Sequence, residues 1–173
     1  MQKFSTNALV KNAVVAAIYA VVTVFLLPYL SYGDLQFRIA EILVLLAFID
    51  SLYIPGLVIG CIIANLGSPL GVIDIFAGSF ATLLAVTAIY QTRKVLGNNF
   101  KALVIASLWP AIFNGLIIGW ELNYVLNLPF WISAGYVALG EFVVVSIIGT
   151  IIFRSILSRE NFLDILVLSK DNK

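Results

Sequence analysis

The sequence contains several apolar runs that are long enough to cross a lipid bilayer. The first extends from Asn7 to Leu27, and Lys11 is its only charged residue. A transmembrane helix needs about 20 predominantly apolar residues. Across the 173 residues, 62% are hydrophobic and 11% are charged, whereas soluble domains carry roughly a quarter charged residues. The chain is therefore predicted to be an all-α integral membrane protein that forms one domain.

The apolar runs predict six transmembrane helices. Their approximate ranges are 7–27, 37–52, 54–66, 74–92, 101–119 and 128–157. The second and third ranges are short for simple membrane crossings. Two interpretations stay open for them: tilted helices in a thinned bilayer, or a re-entrant segment that is buried by protein.

The distribution of basic residues predicts the orientation of these helices. If the chain starts inside and crosses the membrane six times, every basic residue except Arg38 falls on one side. These residues are Lys3, Lys11, Arg93, Lys94, Lys101, Arg154, Arg159, Lys170 and Lys173. Because positively charged segments stay cytoplasmic, both the N-terminus and the C-terminus are predicted to be cytoplasmic.

Several classes of function are disfavoured by what the chain lacks. It has no histidine and one cysteine, so the usual proton shuttle and the commonest metal ligand are missing. We predict no metal, no cofactor and no enzymatic activity. The basic residues are scattered rather than clustered, which argues against nucleic acid as a partner. The chain also has no phosphate-binding loop of the G-x-x-x-x-G-K-[ST] type, so ATP-driven transport would require partner subunits.

Ionisable and amide side chains recur within or beside the predicted helices. A charge at the bilayer centre costs roughly 2.5 to 3.5 kcal/mol on insertion scales, so such residues are functional candidates. The candidate substrate-binding residues are Arg38, Glu41, Asn65, Asp74, Asn114, Trp120, Glu121, Asn123, Tyr124, Trp131 and Glu141. Apart from Glu141, near the middle of the sixth helix, they lie toward the external ends of the predicted helices. Carboxylates, amides and aromatic rings together suit a flat heterocycle with N–H donors.

Structural roles are alternatives for some of these residues. Asp74 could be the N-cap of the fourth helix, and the aromatic candidates could be ordinary interfacial anchors. Arg38 and Glu41 are three residues apart, so a salt bridge between them could neutralise the carboxylate.

Small residues at four-residue spacing predict close helix packing. The first helix carries two overlapping alanine pairs, formed by Ala13, Ala16, Ala17 and Ala20. This stripe could pack within the chain, or it could dock onto another membrane subunit.

The sequence resembles the QueT transporter family in three segments, 32–41, 55–65 and 74–83. The most specific features are the pattern Gln-Phe-Arg-x-x-Glu at 36–41 and the pattern Gly-x-x-x-Gly-x-x-x-x-Asn at 56–65. The similarity extends over nearly the whole chain.

The resemblance implies an S component of an energy-coupling factor transporter in the bacterial cell membrane. Such a subunit binds a micronutrient and joins one transmembrane coupling subunit and two ATPase subunits. The implied substrate is a queuosine precursor, 7-aminomethyl- or 7-cyano-7-deazaguanine. In S components an alanine stripe on the first helix is associated with docking, and Ala13, Ala16, Ala17 and Ala20 match that device.

Other functions remain as alternatives. The S component could serve another vitamin or a purine-like micronutrient. A self-sufficient secondary carrier could use Glu41 and Glu141 as proton relays. A membrane enzyme is disfavoured by the missing histidine, and a purely structural subunit would leave the polar residues unexplained.

Overall fold

The structure of the chain is a computed structural model that describes residues 5–26 and 37–168. Within these residues the secondary structure is entirely helical. The helices are α1 (Thr6–Leu26), α2 (Ile39–Ile49), α3 (Ser51–Asn65), α4 (Val72–Leu96), α5 (Phe100–Leu126), α6 (Phe130–Leu157) and α7 (Glu160–Leu166). The loop 28–36 and the residues Lys3, Lys170 and Lys173, which entered the sequence predictions, lie outside the described residues.

Four helices are long and apolar enough to cross a membrane. They are α1, α4, α5 and α6, with 21, 25, 27 and 28 residues. These four helices fit the expectation of an all-helical membrane protein, whereas six membrane crossings stay a prediction. α4 and α5 are longer than expected, and α5 continues to Leu126 instead of ending near residue 119. Glu121 and its neighbours thus belong to a helix and not to the loop before α6.

The two short helices correspond to the two short apolar runs. α2 begins with 3-10 turns at Ile39–Leu45 and ends with one α-helical turn at Leu46–Ile49. A 3-10 helix rises about 2.0 Å per residue and an α-helix about 1.5 Å, so α2 reaches about 20 Å. The hydrocarbon core of a bilayer is about 30 Å thick. The stretched geometry of α2 therefore recovers part of the length that its few residues lack.

α1 and α3 run parallel and pack closely. The side-chain amide of Asn12 donates to the carbonyl of Leu52 at 2.8 Å, and its oxygen accepts from the backbone N–H of Gly56 at 2.8 Å. The first N–H groups of a helix have no partner within the helix, so Asn12 supplies one for α3. Farther along, a methyl group at Gly60 would lie 3.0 Å from the Cα atom of Ala16. Small residues thus bring the two backbones together, as they do in membrane helix pairs.

α5 and α6 are joined by the same kind of contact. A methyl group at Gly119 would lie 2.7 Å from the Cα atom of Ala134, and one at Gly115 would lie 2.9 Å from the Cβ atom of Ala138. Gly115 and Gly119, which are four residues apart on α5, therefore allow close packing within the chain.

α7 and the residues that follow it pack against one end of the helical bundle. The Lys11 ammonium donates to the carbonyl of Ile165 at 2.7 Å, and the Tyr53 hydroxyl donates to that of Leu166 at 2.9 Å. The backbone N–H of Leu168 donates to the Asp50 carboxylate at 3.0 Å. These bonds hold α7 against the starts of α1 and α3, and large buried side chains such as Phe48 fill the core nearby.

Departures from α-helical geometry fall beside buried polar residues. A π-helical segment, Phe142–Gly149, begins directly after Glu141, and another, Val22–Leu26, begins three residues after Tyr19. Glu41 lies within the 3-10 turns of α2. Such irregular turns are frequent at functional sites, and here they surround one polar cluster.

Candidate binding site

Seven of the polar residues selected from the sequence are buried. They come from α2 to α6 and from the residue just before α2. They are Arg38, Glu41, Asn65, Asp74, Asn114, Glu121 and Glu141, all with 4% or less of their surface exposed. We call these seven residues the polar cluster.

An ion pair joins α4 to the residue that precedes α2. A guanidinium nitrogen of Arg38 lies 3.4 Å from Asp74 Oδ2, and both side chains are buried. The amide nitrogen of Asn65 donates to the backbone carbonyl of Asp74 at 3.0 Å, which ties the end of α3 to the start of α4. Asp74 is not the N-cap of α4, because that position belongs to Gly71. The alternative of a cap is therefore wrong, and Asp74 is a buried ionic partner in the first turn.

Glu41 points into the bundle and meets α1. The Tyr19 hydroxyl donates a hydrogen bond to Glu41 Oε1. Arg38 also interacts electrostatically with Glu41, although its ion pair is with Asp74. The salt bridge expected between Arg38 and Glu41 is thus replaced by a longer-range attraction and a tyrosine hydrogen bond.

Glu141 lies within α6, where α6 packs against α5. Its Oε1 accepts a hydrogen bond from the side-chain amide of Asn114 at 2.8 Å. The Glu141 carboxylate also interacts with the charges of Glu41 and Arg38. α2, α5 and α6 therefore direct these side chains toward a shared interior.

Glu121 completes the cluster near the end of α5. It is fully buried. Its side-chain carboxyl group interacts with that of Asp74, and the two groups are close enough for a hydrogen bond. Arg38 attracts it as well. Neither oxygen of Glu121 accepts a hydrogen bond from the protein.

Unfilled acceptor atoms are concentrated in this cluster. Among residues 5–26 and 37–168, the buried side-chain oxygens without a hydrogen-bond partner include one each from Glu41, Asn65, Asp74 and Glu141, and both from Glu121. Buried polar atoms are normally paired, and an unpaired buried acceptor is costly. The arrangement therefore offers hydrogen-bond acceptors to a ligand that brings several N–H donors.

Sequence reasoning missed three residues that support the cluster. Tyr19 holds Glu41, and Cys61 accepts weak hydrogen bonds to its sulfur from Asn65 at 3.5 Å and from Thr82 at 3.2 Å. The only sequence signal for Tyr19 is its position on the same face of α1 as Asn12, Ala16 and Thr23, all of which are buried.

Four of the selected residues do not enter the cluster. Trp120, Asn123, Tyr124 and Trp131 are exposed on the outer surface of α5 and α6. Trp120 and Tyr124 stack with ring centroids 5.5 Å apart, and Asn123 donates to the carbonyl of Leu128 at 2.6 Å. Exposed aromatic side chains near helix ends are typical interfacial anchors, so this interpretation fits the three rings better than ligand contact does.

The alanine stripe on α1 divides into two faces. Ala16 and Ala20 are buried, and Ala16 packs against Gly60 of α3. Ala13 and Ala17 are exposed on the neighbouring face of the helix, together with apolar neighbours such as Val14. Docking through Ala16 and Ala20 is therefore not compatible with this packing, whereas Ala13 and Ala17 are accessible to a partner.

A bundle of apolar helices that encloses a buried polar cluster with unfilled acceptors defines a class: a multi-pass membrane protein with a polar interior. Comparison with known proteins narrows this class. The model of the QueT transporter family matches residues 9–158, and the chain belongs to this family. The resemblance seen in the sequence is thereby confirmed, and the chain is a multi-pass protein of the cell membrane.

One relative matches most of the chain. It is the queuosine precursor transporter QueT of Lactococcus lactis subsp. cremoris (strain MG1363), which is 35% identical over 153 residues. The match includes 82% of this chain and 88% of the relative. No solved structure matches the chain.

Proposed function

We propose that this chain is the substrate-binding S component of an energy-coupling factor transporter and that it imports a queuosine precursor. The observation that supports the proposal most strongly is the buried polar cluster with its unfilled acceptors, in a chain of the QueT transporter family. The name of the Lactococcus relative gives the substrate class.

The chemistry of the cluster fits a 7-deazaguanine base. Such a base presents ring and exocyclic N–H donors along one edge, and the free oxygens of Glu41, Asn65 and Glu141 are acceptors that these donors require. Its carbonyl oxygen needs a donor, and Arg38 and the amide of Asn114 are donors within the same cluster. Hydrogen bonds to ionised groups are the stronger kind, so a site of this composition binds such a base selectively.

The proposed topology has six membrane segments with both termini in the cytoplasm. Three of the described basic residues lie near the end of the bundle where α7 packs. They are Lys11, Arg93 and Arg159. The ion pair of Arg38 and Asp74 lies at the start of α4, whereas Arg93 lies in its last turn. Together with the positive-inside rule, this arrangement supports a position of the polar cluster toward the external side. The segment 66–71 between α3 and α4 would close over the captured substrate.

Transport would require a coupling subunit and two ATPase subunits. The exposed face of α1, defined by Ala13 and Ala17, is the proposed docking surface for the coupling subunit. Small residues on an exposed helix face allow close approach of a second membrane helix. ATP hydrolysis by the partners would then drive inward release.

A binding isotherm of the purified chain tests the proposal. The ligands are 7-aminomethyl- and 7-cyano-7-deazaguanine, with guanine, riboflavin, thiamin and biotin as competitors. Saturable binding of a deazaguanine that the vitamins do not displace is expected. Binding of a vitamin instead would keep the S component and discard the substrate, and no binding by folded protein would overturn the proposal.

A proton-coupled carrier is the second candidate, because Glu41 and Glu141 are buried carboxylates whose charges interact. Buried carboxylates in membrane helices are typical of proton relays. Vesicles that contain this chain alone separate the two functions. A carrier would accumulate substrate in response to a pH gradient, whereas an S component needs the coupling and ATPase subunits with ATP.

A further inference from the structure

The polar cluster contains more negative than positive groups. Among the described residues of the cluster, four buried carboxylates, those of Glu41, Asp74, Glu121 and Glu141, interact with the one guanidinium, that of Arg38. Asp74 is its ion-pair partner. Tyr19 and Asn114 give Glu41 and Glu141 one neutral hydrogen-bond donor each. The protein thus supplies a counter-charge for one carboxylate and leaves the cluster short of positive charge.

The shortage is greatest between α4 and α5. The side-chain carboxyl groups of Asp74 and Glu121 are close enough to share a hydrogen bond if one of them carries a proton, whereas two ionised carboxylates there repel each other. Three oxygens there lack a partner: Asp74 Oδ1, Glu121 Oε1 and Glu121 Oε2. Both side chains are fully buried, so water does not substitute for a counter-ion as it would at a surface.

On the basis of the proposed function, we infer that the paired carboxylates of Asp74 and Glu121 bind the ammonium group of the substrate. The protein therefore binds a base with an aminomethyl group more tightly than a base with a nitrile. A primary ammonium has three N–H donors and one positive charge. Three unfilled carboxylate oxygens match those donors in number, and the charge compensates Glu121. A nitrile offers only an acceptor and no charge, so it would face the same oxygens with repulsion and leave them unpaired.

The remaining members of the cluster then contact the ring. The free oxygens of Glu41, Asn65 and Glu141 come from α2, α3 and α6, whereas the ammonium subsite lies between α4 and α5. The base would thus be held by one set of helices and its side group by another. The helices that hold the side group, α4 and α5, would therefore determine which of the related bases is preferred.

The test compares three bases that share one ring: 7-aminomethyl-, 7-cyano- and 7-methyl-7-deazaguanine. For the unchanged protein, we expect the aminomethyl base to bind about 10- to 100-fold more tightly than the other two, the range that charged hydrogen bonds supply. In Glu121→Gln this ratio should fall to within about threefold of unity, whereas saturable binding of the methyl base should persist. The methyl base also reports that the variant is folded.

Two further variants control the assignment. Asp74→Asn should lower the same affinity ratio, because it removes the other carboxylate of the pair. Glu160→Gln removes an exposed carboxylate on α7 and should leave all three affinities unchanged.

Each outcome decides a different part of the inference. Failure of all three bases to bind would overturn the proposed function and the inference with it. Equal binding of the three bases, or tighter binding of the nitrile, would leave the proposed function intact and overturn the charge selection. A strong preference for the amine that survives both Glu121→Gln and Asp74→Asn would overturn the assignment of the ammonium to this pair.

Discussion

The Tyr19 hydroxyl donates a hydrogen bond to Glu41, and this bond links α1 to the polar cluster. Tyr19 lies on the inner face of α1, whereas Ala13 and Ala17 lie on the exposed face. One helix therefore contacts the proposed substrate site on one side and is available to a partner subunit on the other. Movement of α1 on docking would act directly on Glu41.

Replacing Tyr19 by phenylalanine should destabilise the protein. The variant removes the hydroxyl that satisfies Glu41 Oε1, and Glu41 Oε2 has no partner already. Leaving a buried acceptor unpaired costs about 1 to 3 kcal/mol. The midpoint of unfolding in detergent should fall accordingly. Tyr136→Phe, at an exposed tyrosine of α6, is the matched control, and equal midpoints for the two variants would contradict the role given to Tyr19.

Adding one methyl group at Gly60 should loosen the contact between α1 and α3. The new Cβ atom would lie 3.0 Å from the Cα atom of Ala16 and 2.9 Å from the Cβ atom of Tyr19. Overpacking of this kind costs typically 1 to 3 kcal/mol. Gly135→Ala is the control, because a methyl group there meets no atom within 4 Å. The prediction concerns the yield of folded protein and its thermal midpoint, and it is refuted by a Gly60→Ala variant as stable as Gly135→Ala.

The sequence was most informative where charge interrupts an apolar run. Glu41 and Glu141 stand out because charged side chains within membrane helices are rare, and both are buried in the structure. Tyr19 could not be recognised in this way, because an isolated tyrosine is ordinary in a membrane helix and its partner lies 22 residues away. Trp120 is a polar-tipped ring near a helix end, and nothing in its local sequence distinguishes an inward from an outward direction.

Helix ends and packing faces were predicted less well for related reasons. The polar residues Glu121 and Asn123 suggested a loop, yet α5 continues through them to Leu126. The burial of Glu121 among other helices, which is a tertiary effect, makes a helical position possible for it. Similarly, Ala13 and Ala16 are equivalent by composition, and only the contact of Ala16 with Gly60 of α3 assigns them to different faces.

Bulky residues on the exposed face of α1 should uncouple transport from binding. The variant is Ala13→Phe combined with Ala17→Phe, because both positions are exposed. If this face docks onto the coupling subunit, uptake by cells that express the whole transporter should fall at least about tenfold, the effect of about 1.4 kcal/mol at an interface. Substrate affinity of the isolated chain should stay the same. Thr87→Phe, at an exposed position of α4, controls for bulk in the membrane, and unchanged uptake in the double variant would refute the docking surface.

The ion pair of Arg38 and Asp74 should show strong coupling in a double-mutant cycle. Arg38→Gln alone leaves the buried carboxylates of Asp74 and Glu41 without their cation. Breaking a buried pair from one side costs about 3 to 5 kcal/mol. Arg38→Gln combined with Asp74→Asn removes both charges of the pair, so its effect on the free energy of unfolding should be smaller than the sum of the two single effects by about 0.5 to 3 kcal/mol. Lys94→Gln combined with Glu160→Gln, two exposed charges on α4 and α7, should be additive. Additive effects at Arg38 and Asp74 as well would mean that the two charges do not stabilise each other, which would contradict the ion pair.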